Sequence, residues 1–333
     1  MKYLGHLSRD DPFYGYLRYD IFPLLNVSLD KSPDFRVYRL PASNHVYAYE
    51  ERNSHARIIG KFFGGVSRLS SGGARNRMER EYSNLNYLRG IGFAGYPHYV
   101  PRPLGRNADL NNVLVEEYCW GAPLADFIIN AIHQNERDAL FQKLGALAYF
   151  LATLHNRTAS DSKVDFNKDC KYFDLILQHL EGNGRLGADE IREFHRLREY
   201  WQGKSGMWED RQVVAHNDVT PANILFGGCP WVIVIDLERM RLGDRVLDLG
   251  RVVGELQYYF LRYAGNRWLA EPFIGHFLWE YVCHFPDRDA AFRSITGRIP
   301  FYAGVTLLRI ARNLWLAKHY SRQLIDEAKK MLR

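Results

Sequence analysis

Val213–Glu238, VVAHNDVTPANILFGGCPWVIVIDLE, is the stretch that decides the fold. It reads as a buried strand, Val213–Ala215, then a polar loop opening with His216-Asn217-Asp218, in which Pro221 keeps the chain out of helix. Asn223, a short apolar piece (Ile224–Phe226) and a Gly227-Gly228 turn follow. A second strand, Trp231–Ile235, ends on Asp236. Two β-rich runs bounded by Gly and Pro have the pattern of a hairpin. Such a hairpin is expected to bring Asp218, Asn223 and Asp236 to one end of its strands. Two carboxylates and an amide together suit a hard divalent cation plus one general base, and Mg²⁺ takes few protein oxygens, leaving room for phosphates and water.

The spacing H-x-D-x-x-x-x-N followed by an apolar strand ending in Asp resembles the catalytic and metal loops of the kinase fold. His216-Asn217-Asp218 with Ile235-Asp236-Leu237-Glu238 is similar to the aminoglycoside phosphotransferase and choline kinase-like family, more than to protein kinases, which show His-Arg-Asp and Asp-Phe-Gly there. The resemblance implies an α+β, bilobal, protein-kinase-like fold: a small antiparallel-sheet lobe with one helix, and a larger, mainly helical lobe. It implies transfer of the γ-phosphoryl group of ATP (or GTP), with Mg²⁺, to a hydroxyl of a small metabolite. Asp218 is then the base, Asn223 and Asp236 the metal ligands, and Glu238 a support for the second metal or the substrate, the alternative being an exposed surface glutamate. His216 and Asp248 brace the loop; Asp248 falls in Asp248-Leu249-Gly250, similar to a segment of the family. Eleven residues, 237–247, separate Asp236 from Asp248 and leave no room for a protein-kinase activation segment.

Length and composition agree with this frame. The 333 residues favour about two domains. Hydrophobic content of 47% and charged content of 25% are ordinary for a soluble protein. The formal charge of +6 mildly favours an anionic partner such as a nucleotide, and a solvated basic surface explains it equally well. Cys119, Cys170, Cys229 and Cys283 form no C-x-x-C, so neither zinc nor a disulfide framework is expected, and reduced thiols fit a cytoplasmic location. The start of the chain lacks a continuous apolar run, so no signal peptide is expected. The most apolar run, Leu144–Leu154, is far short of the ~18 residues of a membrane span. Neither a membrane nor a nucleic acid is expected as a partner.

From its beginning, the chain divides into an extension (residues 1–35), a nucleotide-binding lobe (36–118) and a large lobe (119–333). Arg36–Leu40, His45–Glu50 and Arg57–Phe63 read as three short strands, with Lys61 on the third. The turn between the first two sits where the family covers phosphates. It has no glycine, so the backbone N–H groups of Ser43 and Asn44 are the candidate donors; the alternative is an ordinary hairpin turn. Gly64–Asn76 reads as a flexible loop, and a helix follows over Ala74–Arg89. At about 100° per residue its apolar face carries Met78, Tyr82, Leu85 and Leu88. Glu81 lies near that face and Glu79 points away, so Glu81 is the carboxylate expected to steady Lys61 on the α- and β-phosphates. Asn112–Tyr118 reads as the last strand of the lobe, and Glu117, Tyr118 and Cys119 occupy the hinge, where the family binds adenine through its backbone.

The large lobe turns helical from Ala125. His155, in Leu154-His155-Asn156, reads as a satisfied core histidine. Residues 159–208 form a two-helix insertion that would shape the acceptor pocket. The aromatic helices Leu256–Trp268 and Phe273–Phe285, with Glu255 and Glu271 nearby, suit an amine or quaternary ammonium, although tyrosines at helical spacing are usually core. The tail, Leu307–Arg333, reads as a solvated basic face. A nucleotide-binding pseudokinase scaffold, and a kinase of a protein or lipopolysaccharide acceptor, are the competing functions.

Overall fold

The computed structural model describes residues 1–41, 45–64, 71–227 and 231–333. The chain forms two compact units, Met1–Gly121 with Ile233–Glu238, and Ala122–Val232 with Arg239–Arg333.

The first unit is built on an antiparallel sheet. Its elements are β1 (Lys2–His6), the short helix α1 (Pro12–Tyr16), β2 (Phe35–Arg39), β3 (His45–Glu51), β4 (Arg57–Phe62) and α2 (Ser71–Gly90). Two-residue strands β5 (Ala94–Gly95) and β6 (His98–Tyr99) follow, then β7 (Pro103–Asn107) and β8 (Val113–Glu117). The six-stranded sheet runs β1-β2-β3-β4-β8-β7. Lys61 lies on a central strand, opposite Val46 of β3 and Leu114 of β8. The helix starts earlier than the sequence pattern suggested, so residues 71–76 of the expected loop are helical. Residues 65–70 of that loop lie outside the described residues.

The first 35 residues are integral to this unit, not an appendage to it. β1 adds an edge strand to β2, with Lys2 opposite Arg39. Phe13, Leu17, Ile21 and Phe22 are buried in one core with Phe35, Tyr49, Ile58, Val113 and Val115. Each such side chain contributes roughly 1.5–3 kcal/mol by leaving water, which makes the segment indispensable to the sheet. The fit is close: a Cβ on Gly105 would stand 2.7 Å from Ile21 Cδ1 and would collide with the Tyr16 hydroxyl.

The second unit is mainly helical. It comprises β9 (Ala122–Pro123), α3 (Leu124–His133), α4 (Arg137–Arg157), α5 (Asn167–Gly182) and α6 (Ala188–Gln202), the last two being the expected insertion. Then come β10 (Val213–Ala215), β11 (Ile224–Phe226), β12 (Val232–Val234), which leads out of the unit, and β13 (Arg241–Gly243). The helices α7 (Val246–Ala264), α8 (Glu271–Val282), α9 (Arg288–Thr296), α10 (Ile299–Ala311) and α11 (Lys318–Leu332) complete it.

Two expectations are corrected here. β10 does not form a hairpin with the strand at Trp231–Ile235; it pairs antiparallel with β13, Val214 opposite Leu242. Arg-Leu-Gly has too little β-branched character to announce a three-residue strand. The tail is likewise more than a solvated face. Leu307, Leu308, Ile310 and Ala311 of α10 are buried, as are Leu324, Ile325 and Ala328 of α11. α10 also crosses α7 at close range. A Cβ on Gly254 would stand 2.6 Å from Thr306 Cβ and 3.0 Å from the Ala303 carbonyl oxygen. Among the described residues, no helix is long and apolar enough to cross a membrane.

Candidate active site

Asp248 organises the loop that follows β10. It sits in the first turn of α7, where the N-terminal end of a helix favours a negative charge. Its Oδ2 accepts the His216 N–H at 2.7 Å and its Oδ1 accepts the Asn217 N–H at 2.7 Å. His155, at the end of α4, contacts Asp248 Oδ2 through Nε2 at 3.2 Å and the Tyr281 hydroxyl through Nδ1 at 2.8 Å. Burial alone would raise the Asp248 carboxyl, but the His155 contact and these backbone donors hold it below its ordinary value. Burial also depresses His155, against the pull of Asp248. A neutral His155 therefore keeps its proton on Nε2 for the carboxylate and accepts the Tyr281 hydroxyl hydrogen on Nδ1. His155 is thus a satisfied core histidine, and it steadies the aspartate that steadies the loop.

The loop is drawn tight. Asn217 adopts φ +63°, a left-handed conformation that asparagine tolerates better than most residues, and its side-chain amide donates to the Arg239 carbonyl at 3.2 Å. The Asp218 N–H donates to His216 Nδ1 at 3.2 Å, and the Asn223 side-chain amide donates to the Asp218 carbonyl at 3.0 Å. Asp218, His216 and Asn223 are therefore brought together within this unit. The Asp218 carboxylate faces cations: Arg309 Nη1 lies 3.3 Å from Oδ1 and Arg239 Nε lies 3.5 Å from Oδ2. Burial would raise its pKa, but Arg309, Arg251 and Arg239 outweigh burial and hold it below the usual carboxylate range.

The arginines are the part of the site that the sequence did not announce. Arg309, read there as part of a solvated tail, is half-buried on α10 and also binds Glu255 Oε1 through Nη2 at 2.9 Å. Arg251 and Glu255 lie on α7, one and two turns beyond Asp248. That helical spacing was the available signal, whereas nothing marked Arg309. Nε and Nη1 of Arg251 and Nε of Arg309 are buried without hydrogen-bond partners, a state that costs about 1–3 kcal/mol or more per group. Beside them, a recess of about 310 Å³ is lined by Glu255, Tyr259, Arg262, Arg309 and Trp315 among others. The aromatic faces that suited an amine are taken by the chain's own cation. Arg262 stands 5.6 Å from the Tyr263 ring and 5.7 Å from the Trp315 ring, and donates to the Tyr258 hydroxyl at 2.8 Å.

The first unit holds the other candidates. Lys61 Nζ is 2.5 Å from Glu81 Oε1 and 3.0 Å from Glu116 Oε1. Glu79 instead lies at the surface with Arg106. Glu116 was missed, although register locates it: Lys61 pairs with Leu114, and two residues on is the same face of the sheet. Burial would lower the Lys61 pKa, but Glu116, Glu81 and Asp236 raise it further than burial lowers it. Burial lifts Glu81 to about 8 despite Lys61, with Glu116 and Asp236 adding to the lift.

Asp236 adopts φ +64°, and the segment after it is held by α2. Asn84 Nδ2 donates to the Leu237 carbonyl at 2.8 Å, and Arg77 pairs with Glu238, which is buried and not a surface glutamate. Carboxylate oxygens of Glu81, Asp236 and Glu238 lie within 4.8 Å of one another, so this hard-oxygen set fits a divalent cation such as Mg²⁺. At the expected hinge, Glu117 Oε1 accepts the Arg102 N–H at 2.6 Å and the Tyr99 hydroxyl. The Tyr118 and Trp120 rings pack together, and burial pushes the Cys119 thiol up to about 12. Ser43 and Asn44 lie outside the described residues.

An antiparallel sheet with a buried lysine–glutamate pair, followed by a helical unit with an Asp-braced H-x-D-x-x-x-x-N loop, defines a kinase-like phosphotransferase fold. The chain belongs to the APH phosphotransferase enzyme family, whose pattern it matches over residues 34–282. Solved structures share the architecture. A choline kinase from Cryptosporidium parvum Iowa II aligns with TM-score 0.65 at 14% identity, covering 96% of this chain and 94% of its own. An ethanolamine kinase from Plasmodium vivax aligns with TM-score 0.59 at 16% identity, covering 96% and 85%. The aminoglycoside phosphotransferase APH(2'')-Ib, in its ADP-bound form, aligns with TM-score 0.56 at 12% identity, covering 97% of each chain. A comparison with curated proteins finds no match.

Proposed function

We propose that this protein is an ATP-dependent (or GTP-dependent) kinase that moves the γ-phosphoryl group to a hydroxyl of a small molecule. The observation that carries the reading is the buried pair Lys61–Glu81, because a lysine held by a helix glutamate is the element that positions nucleotide phosphates in kinase-like folds. Membership of a phosphotransferase family and the likeness to nucleotide-bound relatives support it.

Asp218 takes the proton of the acceptor hydroxyl and aims that oxygen at the phosphorus. Such a base needs an ionised carboxylate at working pH, in keeping with the depressed pKa of Asp218. His216 and Asp248 keep the loop in place. Lys61, steadied by Glu81, holds the phosphates, as do the backbone donors at Ser43 and Asn44, and the backbone at Glu117, Tyr118 and Cys119 receives the base. Asn223, Asp236 and Glu238 would hold Mg²⁺, which when bound neutralises charge on the phosphate oxygens.

The short connection from Asp236 to Asp248 favours a small acceptor over a protein. Incubation with ATP, Mg²⁺ and a panel of hydroxyl metabolites tests the reading. ADP release above the rate without acceptor is expected for at least one alcohol. Tight nucleotide binding with no acceptor-dependent release would instead make the chain a nucleotide-binding scaffold.

A further inference from the structure

We propose that the acceptor carries an anionic group, a carboxylate or a phosphate, seated on Arg251, Arg309 and Arg312 beside Asp218. The inference rests on the phosphoryl-transfer reading above and names its substrate class.

Charge is the first argument. Within the second unit, Arg309 and Arg239 stand at 3.3 and 3.5 Å from the Asp218 carboxylate, and Arg251 is buried nearby on α7. Arg312 lies about one turn beyond Arg309, at the C-terminal cap of α10, with its Nη1 3.3 Å from His179 Nδ1. Against these four cations stand the carboxylates of Asp218 and Glu255. Tyr172 senses the excess: burial would raise its hydroxyl, yet Arg251, Arg309 and Arg312 pull it below its ordinary value. An ammonium group brought here would meet a surplus of positive charge, while an anion would relieve it.

Unmet hydrogen bonding is the second argument. Arg251 is only 4% exposed and its Nε and Nη1 have no partners, and the Nε of Arg309 has none either. Arginine's planar fork matches carboxylate and phosphate oxygens two at a time. The third argument concerns the aromatic side chains, which an ammonium would need. The rings of Tyr258, Tyr263, Trp315 and Tyr320 surround Arg262, so the surface that would stabilise a quaternary ammonium is already occupied from within.

In the reaction the acceptor O–H passes its proton to Asp218 as the oxygen bonds to the γ-phosphorus. The bond from that phosphorus to the bridging oxygen breaks, and the electron pair leaves with the nucleoside diphosphate. The anionic group of the acceptor stays on the arginines throughout.

The test uses the full chain. ADP release is followed with glycerate and glycerol 3-phosphate against glycerol, ethanolamine, choline and kanamycin. An anionic alcohol is expected to be turned over faster than every neutral or cationic one. Arg312→Gln is expected to raise its KM by about tenfold with kcat little changed, as the loss of one charge-assisted contact implies. Arg312→Lys should restore part of the loss, which a purely structural defect would not allow. Faster turnover of a cationic acceptor would overturn the proposal.

A binding arm covers a panel that contains no true substrate. With Mg²⁺ and a saturating non-hydrolysable ATP analogue, so that the γ-phosphate position is filled, millimolar inorganic phosphate or glycerate should raise the melting temperature of the wild type more than that of Arg312→Gln. Equal shifts in both proteins, or no shift, would overturn the proposal. Anion binding that persists without ADP release from any acceptor would support the anion site and count against the transfer reading alone. Carboxylate and phosphate are told apart by which of the two acceptors is used.

Discussion

Arg309 Nη1 lies 3.3 Å from Asp218 Oδ1, joining residues 91 positions apart in the sequence. The contact sets the pH range over which Asp218 is ionised. The groups facing it are Arg309 from α10, Arg251 from α7, Arg239 from the turn before β13, and His216 from its own loop. Removing the nearest of these cations in Arg309→Met leaves burial less opposed, so the carboxyl pKa must rise. A base is active only when ionised, so the acid limb of kcat/KM should move to higher pH by about 1–3 units, with the loss greatest below neutrality. An unchanged acid limb, measured from pH 5 to 8, would show that Arg309 does not govern this carboxylate.

Asp218→Asn removes the proton acceptor and keeps the shape of the loop, because the bonds that hold it run through the Asp218 backbone and not its side chain. Turnover should fall by about 10²–10⁴-fold, with nucleotide affinity nearly unchanged. Paired measurements of kcat and nucleotide Kd check both halves. An equal loss of affinity would place Asp218 on the nucleotide and not on the acceptor.

Glu81, lifted by burial to about 8 from the ordinary carboxyl value of 4.5, makes stability depend on pH. The folded state holds a proton that the unfolded chain has given up, so this contribution is complete below about 4.5 and is lost as pH climbs through 8. Lys61, raised from its own ordinary value by the surrounding carboxylates, stays charged throughout this window and adds no slope. Urea denaturation should therefore show stability falling between pH 5 and 8, and Glu81→Gln should flatten that fall. The same slope in wild type and variant would assign it to other groups.

The polar loop and its brace were legible because local chemistry marks them: a histidine, two aspartates and an asparagine at set spacing, with Pro221 barring a helix. Glu81 was separable from Glu79 because helical phase turns one toward the sheet, and only Glu81 reaches Lys61. What was hidden depends on long-range pairing. β13 is a three-residue strand recognisable only by its partner β10, and Glu116 becomes visible only once the register of β4 against β8 is known. Arg309 is the clearest case. The tail's basic residues gave the look of a solvated helix, and the partial burial of Arg309 follows from α10 packing on α7 at Gly250 and Gly254. The role of residues 1–35 was obscure for a similar reason, since their aromatic side chains have meaning only beside Phe35, Tyr49 and Ile58.

The crossing of α7 and α10 yields a last expectation, since these helices carry Asp248, Arg251, Glu255 and Arg309. Gly254 has no room for a side chain: an added Cβ would stand 2.6 Å from Thr306 Cβ, 2.7 Å from Thr306 Cγ2 and 3.0 Å from the Ala303 carbonyl oxygen. The obstruction includes backbone, so relief requires the helices to part and not merely a rotamer to turn. Alanine ordinarily favours a helix over glycine by about 1 kcal/mol, and overpacking of this kind costs typically 1–3 kcal/mol or more. Gly254→Ala should thus lose stability despite the gain in helix propensity. Parting the helices would also pull Arg309 away from Asp218 and Glu255, so the acid limb of the pH–rate profile should rise as it does in Arg309→Met. Urea midpoints and the pH profile of the same protein settle both effects. A variant as stable as wild type would mean that the two helices do not approach this closely.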